Sequence, residues 1–143
     1  MQPLHAPLVP AQALRPARGL HGGPRAHGLL HHLGRVVLGG LAVQRGGTAE
    51  QQQAILPGVI AGEHKLALAS TETGGRRGAV HVATHAKRVT GGWQLTGHKA
   101  VVLHGASADT LVVSARSHGA VDATGGIGLF LVPAKALGVS CRG

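Results

Sequence analysis

The feature that most constrains the fold is a change of hydrophobic period at Leu66. Before it, apolar residues recur at helical spacing, whereas after it they alternate with other residues at every second position. Such alternation is typical of half-buried β-strands, and it predicts seven short ones. They span 66–71, 79–88, 92–96, 99–103, 110–115, 127–132 and 138–141. Because short turns join them, we expect a mainly β fold, an antiparallel sandwich or barrel.

Two of these strands carry a more detailed prediction about burial. In 79–88, one alternating set should form a buried face and the other an exposed face. The first set is Val80, Val82, Thr84 and Ala86, and the second is His81, Ala83, His85 and Lys87. In 127–132 both alternating sets are apolar, which predicts a strand that is buried on both faces or lies at an interface.

The segment before Leu66 predicts two helices. Residues 29–45 carry leucines and valines near helical spacing, and Thr48 with Gln51 forms a capping box that opens a second helix. Pro57 is expected to break or restart this second helix, because proline lacks the backbone donor that a helix interior needs. Gly62 is the expected stop.

The first 28 residues differ from the rest in composition. They hold five of the seven prolines together with many Gly, Arg and His residues. Prolines at this density prevent a long helix and remove backbone donors from any strand. We therefore expect an irregular or disordered tail over 1–28, a helical part over 29–62 and a β domain over 63–143.

The distribution of charge argues against a nucleic-acid partner in spite of a net charge of +9. Five arginines and no acidic residue fall in residues 1–49, whereas nine Lys and Arg residues face five acids from Glu50 onward. Trp93 and Phe130 are the whole aromatic complement, so the chain lacks the aromatic platform on which bases stack. We expect no binding to nucleic acid.

Membrane insertion and disulfide formation are also not expected. No run of residues approaches the 18 apolar positions that a transmembrane helix needs. Cys141 is the sole cysteine, so that no disulfide can form within the chain, which fits a reducing compartment. These observations predict a cytoplasmic location.

Histidines four residues apart raise the question of a metal site. His27 and His31 have the spacing that seats a metal on one helix face, and His32 is adjacent. They can equally be solvent-facing histidines in a segment of biased composition. Because no cysteine or carboxylate lies nearby to complete a ligand set, we expect no metal.

Several short motifs occur in a fixed order along residues 36–143. They are GTAEQ (47–51), LP (56–57), GE (62–63), LALASTE (66–72), GWQLTGHK (92–99), ADTLVVSAR (108–116) and GLFLVP (128–133). In this order they resemble the acyl-CoA dehydrogenase family, where G-[WY]-x-[LI]-[ND]-G-x-K and T-E-P are recurrent patterns. The stretch KAVVLHG (99–105) is similar to that of the small-subunit type of pimeloyl-CoA dehydrogenase.

The resemblance implies a fold and an activity. It implies the middle β domain of an FAD-dependent oxidoreductase of fatty acid metabolism, with 29–62 a remnant of the preceding helical domain. Family members dehydrogenate an acyl-CoA thioester between its α- and β-carbons and pass a hydride to flavin N5. Their catalytic base is a glutamate of a C-terminal helical domain, so we assign no catalytic residue and expect no activity from the isolated chain.

The resemblance also places a flavin and a substrate. Backbone groups of Leu68, Ser70 and Thr71 would face the flavin ring. Val101, Val102 and Leu103 would pack against it, where most members have an aromatic residue. Apolar strand residues such as these are as readily explained as plain core, and Ser70 and Thr71 as part of an ordinary turn.

Two further side-chain groups are candidates for a site. Arg77, next to Arg76, would pair with a phosphate of the acyl-CoA substrate or of FAD, or would belong to a solvated turn. His104 could act as an acid or base near the cofactor, with Asp109 as its nearest acidic neighbour in sequence. The expected partners are therefore acyl-CoA, FAD and further dehydrogenase subunits in a homo- or hetero-oligomer. The alternative is a non-enzymatic β module or a non-functional gene remnant.

Overall fold

The computed structural model describes residues 4–5, 12–14, 30–73 and 81–142. Two helices precede most of the sheet, α1 (Leu30–Gly46) and α2 (Ala49–Ile60). The capping box at the start of α2 is confirmed, since Thr48 N donates to Gln51 Oε1 at 2.9 Å and Gln51 N donates to Thr48 Oγ1 at 3.2 Å. No helix in the described ranges is both long and apolar enough to cross a membrane.

The prediction that Pro57 breaks the second helix is wrong. Helix α2 runs through Pro57, because the missing N–H removes a single backbone hydrogen bond while Ile55, Leu56 and Val59 pack against the sheet. The helix ends at Ile60, and Gly62 is the stop as predicted, with a φ of +74° in the left-handed region. Gly62 N donates to Val59 O and Glu63 N donates to Gly58 O, at 3.1 and 2.9 Å, which is the Schellman pattern.

Within the residues that the structure describes, seven strands form one curled sheet. They are β1 (Leu4–His5), β2 (Gln12–Leu14), β3 (Leu66–Ala69), β4 (His85–Val89), β5 (Gly92–Gly97), β6 (Thr110–Arg116) and β7 (Ile127–Pro133). Their order is β1-β5-β4-β6-β7-β2, and β3 pairs with β6 outside this path. The mainly β fold is thus confirmed, although β6 pairs in parallel with β3 and with the start of β4.

Two predicted strands are absent from their expected places. Residues 99–103 form an irregular segment, because Val101 and His104 have φ values of +53° and +60°, which a strand does not accommodate. Residues 138–141 also lack strand structure, because Gly138 has a φ of +87° and Val139 N donates back to Ala136 O in a turn.

The tail contains two short strands where irregular structure was predicted. β1 and β2 lie at the two ends of the sheet order, where they pair antiparallel with β5 and β7. Proline is tolerated beside such edge positions, and the prolines of this region fall outside the two strands. The rest of 1–28 lies outside the described residues.

The sheet is buried on both faces around β6 and β7. Leu111, Val113 and Ala115 belong to one apolar cluster, to which Phe130 and Val132 also contribute. On the opposite face, Val112 and Leu131 pack with Val43 and Leu66 against the two helices. The predicted burial of strand 127–132 on both faces is confirmed for its second half. Earlier in the chain, Val82, Thr84 and Ala86 are buried as predicted.

Candidate functional site

The fold brings together the two segments that were predicted to face the flavin. The first is the continuation of β3 over residues 70–72, and the second is the irregular segment 98–104 that follows β5. Ala100 N donates to Thr71 O at 2.8 Å, which fixes the two backbones side by side. We refer to residues 70–71 and 101–103 together as the wall.

The side chains of the wall divide into an exposed and a buried set. Val101 is 76% exposed and Leu103 37% exposed, whereas Val102 packs against the apolar cluster of the sheet. Ser70 and Thr71 are exposed residues as well. Leu68 pairs with Val112 in the sheet and packs toward the helices, so it contributes support beneath the wall.

Backbone conformation aims the exposed side chains of the wall. Val101 has a φ of +53°, which is uncommon for a β-branched residue and is typical of functional sites where surrounding contacts hold it. A 3₁₀ turn at Gly105–Ser107 follows, closed by Gly105 N donating to Val102 O at 3.1 Å. A Cβ at Gly105 would lie 2.9 Å from Val102 Cγ1, so a glycine allows the turn to close over Val102.

A buried ion pair lies directly beneath the wall. Lys99 Nζ and Glu72 Oε1 are 2.6 Å apart, and each side chain is only 6% exposed. Glu72 follows Thr71 in sequence, and Lys99 lies two residues before Val101. The pair therefore links the same two segments as the Ala100–Thr71 backbone hydrogen bond.

The carboxylate of Glu72 has four donors. Thr84 N, Thr84 Oγ1 and Lys99 Nζ donate to Oε1 at 3.0, 2.6 and 2.6 Å, while Ala83 N donates to Oε2 at 2.7 Å. Burial by itself would raise the pKa of Glu72, but these donors outweigh it and lower the pKa to about 2. The carboxylate is thus held in its charged form.

The donors of Glu72 also explain why β4 begins later than predicted. A strand was predicted from residue 79, yet β4 starts at His85. The amides of Ala83 and Thr84 bind the Glu72 carboxylate, so these donors are not available to a neighbouring strand. Residues 79 and 80 lie outside the described residues.

In contrast to Glu72, Lys99 is disfavoured in its charged form by its surroundings. Burial lowers its pKa, and the hydrogen bond and charge of Glu72 oppose this shift only in part. Lys99 Nζ also donates to Ser114 Oγ at 3.0 Å, which connects the pair to β6 at the centre of the sheet. Ser114 Oγ in turn lies 3.5 Å from Ser70 O, next to the wall.

A second buried charge, Arg116, supports this arrangement from the end of β6. It is 1% exposed and its guanidinium donates to backbone carbonyls at distances between 2.7 and 3.1 Å. The carbonyls belong to Val82, Val121, Ala123 and Gly125. Because Val82 directly precedes Ala83 and Thr84, Arg116 fixes the residues whose amides bind Glu72.

The sequence reasoning did not find the Glu72–Lys99 pair or the role of Arg116. Glu72 and Lys99 stand in the LALASTE and GWQLTGHK motifs, but 27 residues separate them and no local pattern joins them. A usable signal was present, because an acid directly follows the predicted strand 66–71 and a base lies just beyond the predicted strand 92–96. Arg116, directly after the predicted strand 110–115, gave a similar signal.

Other predicted site residues have different outcomes. Arg76 and Arg77 lie outside the described residues, and so does His27 of the histidine cluster, while the side chains of His31 and His32 are not described. Asp109 accepts a hydrogen bond from Lys65 N at 2.8 Å, so its carboxylate anchors the start of β3. His104 is exposed and starts the 3₁₀ turn. Its assignment as an acid or base stays a prediction.

Comparison with known proteins gives the family. The family profile described as acyl-CoA dehydrogenase, middle domain, matches residues 67–143, more than half of the chain. The chain belongs to the acyl-CoA dehydrogenase family. The resemblance and the fold inferred from the motifs are thereby confirmed, whereas the narrower similarity to pimeloyl-CoA dehydrogenase small subunits stays a prediction.

Curated relatives of the family match the same region. Over 73 residues the chain is 44% identical to the mitochondrial isovaleryl-CoA dehydrogenase of Solanum tuberosum. It is 40% identical, also over 73 residues, to the mitochondrial 2-methylacyl-CoA dehydrogenase of the same plant. Each alignment covers 51% of this chain and 18% of the relative, so the chain matches about a fifth of the length of these enzymes.

Solved structures of the family share the fold. One is a glutaryl-CoA dehydrogenase of Mycobacterium smegmatis in complex with FADH2, with a TM-score of 0.59 and 29% identity. The superposition covers 67% of this chain and 23% of that enzyme. The β fold of residues 67–143 is thus that of an acyl-CoA dehydrogenase middle domain.

Proposed function

We propose that this chain provides one wall of the flavin and acyl-CoA site of an FAD-dependent acyl-CoA dehydrogenase. The single observation that carries the proposal is the hydrogen bond of 2.8 Å between Ala100 N and Thr71 O, which joins the two segments of the wall. When bound, FAD accepts a hydride from the β-carbon of an acyl-CoA thioester. The residues of this chain would bind and orient the cofactor and keep water from it.

The chemistry of the wall fits a flavin ring. Val101 and Leu103 are apolar and exposed, and an exposed valine that is held in a left-handed conformation is typical of a ligand-binding site. Exposed Ser70 and Thr71 lie beside them and offer polar groups to a ring edge. A flat heteroaromatic ring needs this combination of an apolar face and rigid donors and acceptors.

The assignment of roles follows from the same contacts. Val101 and Leu103 would contact the ring, Ser70 and Thr71 its polar edge, and Leu68 and Val102 would hold the wall from behind. Arg77 stays a prediction for the substrate phosphates. No residue is proposed as catalytic. The proposal includes acyl-CoA as the substrate, an assembly with further dehydrogenase subunits and a cytoplasmic location.

A titration of the purified chain with FAD tests the proposal. Flavin fluorescence and absorbance should show saturable binding, which Val101→Asn should weaken because it places a polar side chain on the ring. Asparagine tolerates the left-handed backbone, so the fold should be kept. Leu137→Asn is the matched control, since Leu137 is 78% exposed and lies outside the wall.

The outcomes separate the candidate functions. Loss of affinity in Val101→Asn and wild-type affinity in Leu137→Asn would support a flavin wall at the proposed place. A folded chain that does not bind FAD would overturn the proposal in favour of a non-enzymatic β module or a gene remnant without function. Equal weakening by both substitutions would overturn the location of the site.

A further inference from the structure

We propose that the buried Glu72–Lys99 pair is a positioning device that sets the spacing between the two segments of the wall. The inference rests on the proposed function, because it concerns the geometry of the surface that would receive the flavin. Glu72 Oε1 and Lys99 Nζ are 2.6 Å apart directly beneath that surface. Neither residue is assigned contact with the cofactor, so both act through the backbone of the wall.

Stability alone is a poor explanation for such a pair. Removing two charges from water costs free energy that their attraction repays only when the geometry is good, and an apolar pair of similar volume is often as stable. A buried pair resists displacement, because any shift that separates the charges leaves both of them desolvated and unpaired. The pair therefore favours one spacing of the wall over neighbouring ones.

The surrounding hydrogen bonds fix both members of the pair. The amides of Ala83 and Thr84 hold the carboxylate of Glu72, at 2.7 and 3.0 Å. Ser114 Oγ accepts a hydrogen bond of 3.0 Å from Lys99 Nζ and connects it to β6. Because β6 pairs with β3, which leads directly into residue 70, the pair also fixes the wall relative to the sheet.

The wall needs such a device because its second segment is irregular. Residues 98–104 are not part of a strand in the described structure, and a flavin ring needs its contacts placed to within a fraction of an ångström. The backbone hydrogen bond from Ala100 to Thr71 sets one point of contact, and the ion pair below it sets a second. Two points fix orientation as well as distance.

The test replaces both charged side chains by neutral ones. It then measures FAD binding, and the amide exchange of the wall in the absence of FAD. The central variant is the double substitution Glu72→Gln and Lys99→Met, which leaves no unpaired charge. Glu63→Gln with Lys87→Met is its matched control, because both residues are exposed and the charges removed are the same. The measurements are FAD affinity, the absorption spectrum of the bound flavin and amide hydrogen exchange of the chain without FAD.

A positioning role predicts a local effect. In the double variant, exchange should rise in residues 70–72 and 99–103 while β6 and β7 keep their protection, and the affinity for FAD should fall by about tenfold or more. The bound flavin should also lose the spectral shape that it has in the wild-type chain. The control should match the wild type in all three measurements.

Two outcomes would overturn the positioning role. One is a folded double variant with wild-type exchange in both segments and wild-type affinity. The other outcome involves Ser114→Ala, which keeps both charges and removes one anchor of Lys99. If the double variant is unfolded and Ser114→Ala has wild-type exchange and FAD affinity, the role of the pair is purely structural. If the wild-type chain does not bind FAD, the proposed function is refuted. Amide exchange measured without FAD would still test whether the pair positions the two segments of the wall.

Discussion

Two positive charges are buried on the same face of the sheet, and the protein accommodates them in different ways. Lys99 faces the carboxylate of Glu72 and the hydroxyl of Ser114. Arg116 instead places its planar guanidinium among backbone carbonyls that follow and precede β6 in sequence. The comparison shows that a buried cation can be stabilised either by one opposite charge or by several oriented dipoles.

The two arrangements differ in what they connect and in how they can be disrupted. The Glu72–Lys99 pair joins two segments of the wall through side chains, and protonation of the carboxylate can break it. Arg116 joins residue 82 to the loop 121–125 through main-chain atoms, and a guanidinium stays charged over the pH range that proteins tolerate. The first region should therefore respond to pH and the second should not.

The largest expected effect is the loss of one partner of the ion pair. Lys99→Met leaves Glu72 buried with its charge unpaired, so we expect a loss of about 3–5 kcal/mol in the free energy of unfolding. The double substitution Glu72→Gln and Lys99→Met should lose clearly less than the sum of the two single variants. Urea denaturation of all four proteins measures this, and additive losses would contradict the described pairing.

The pH dependence of stability is the next effect in size. The pKa of Glu72 is about 2 in the folded chain and 4.5 in an unfolded one, so the unfolded chain binds a proton first as the pH falls. The contribution is complete above about pH 4.5 and is lost progressively toward pH 2. It amounts to about 3 kcal/mol.

Urea denaturation between pH 7 and pH 2.5 measures this contribution. The free energy of unfolding should fall less steeply with pH in Glu72→Gln than in the wild-type chain, because the variant lacks the titrating group. Arg116→Lys should keep the wild-type slope. Parallel curves for the wild type and Glu72→Gln would show that the carboxylate does not carry the pH dependence.

Arg116→Lys sharpens the comparison between the two buried cations. Lysine keeps the charge but has three donors in place of five and lacks the planar fork, so it cannot reach the same set of carbonyls. We expect a loss of about 2–3 kcal/mol, because buried carbonyls are left unsatisfied. Thermal unfolding measures it, with Arg142→Lys at an exposed position as the control. Equal melting temperatures would indicate that charge alone is sufficient at Arg116.

The smallest effect concerns a glycine near each region. A Cβ at Gly97 would lie 2.5 Å from Thr84 Oγ1 and 2.7 Å from Thr84 Cα, so Gly97→Ala must displace a residue that binds Glu72. We expect a loss of about 1–3 kcal/mol. Gly125→Ala, near Arg116, meets no atom within 4 Å and should change stability by less than about 0.5 kcal/mol. Similar losses in both variants would contradict the described packing.

Local patterns in the sequence were sufficient for part of the fold. The capping box of Thr48 and Gln51 and the stop at Gly62 depend on residues a few positions apart, and both were predicted. The alternation of residues 82–86 and 127–132 likewise reports burial directly, because side chains of a strand alternate between faces. These features need no knowledge of distant parts of the chain.

The remaining features depend on contacts between distant residues. The apolar run at 99–103 reads as a strand, but the left-handed backbone of Val101 is set by the turn around Gly105 and by the Ala100–Thr71 hydrogen bond. Pro57 was expected to end a helix that tertiary packing keeps intact. For the candidate site, motifs placed the two segments of the wall, whereas the Glu72–Lys99 pair between them became visible only in three dimensions.

The most direct test of the account is amide hydrogen exchange of the full chain with and without FAD. FAD should slow exchange in residues 70–72 and 99–103 and leave exchange in helix α1 and in strand β7 unchanged. Slower exchange confined to other parts of the chain, or no change at saturating FAD, would contradict the assignment of these two segments as the flavin-facing wall.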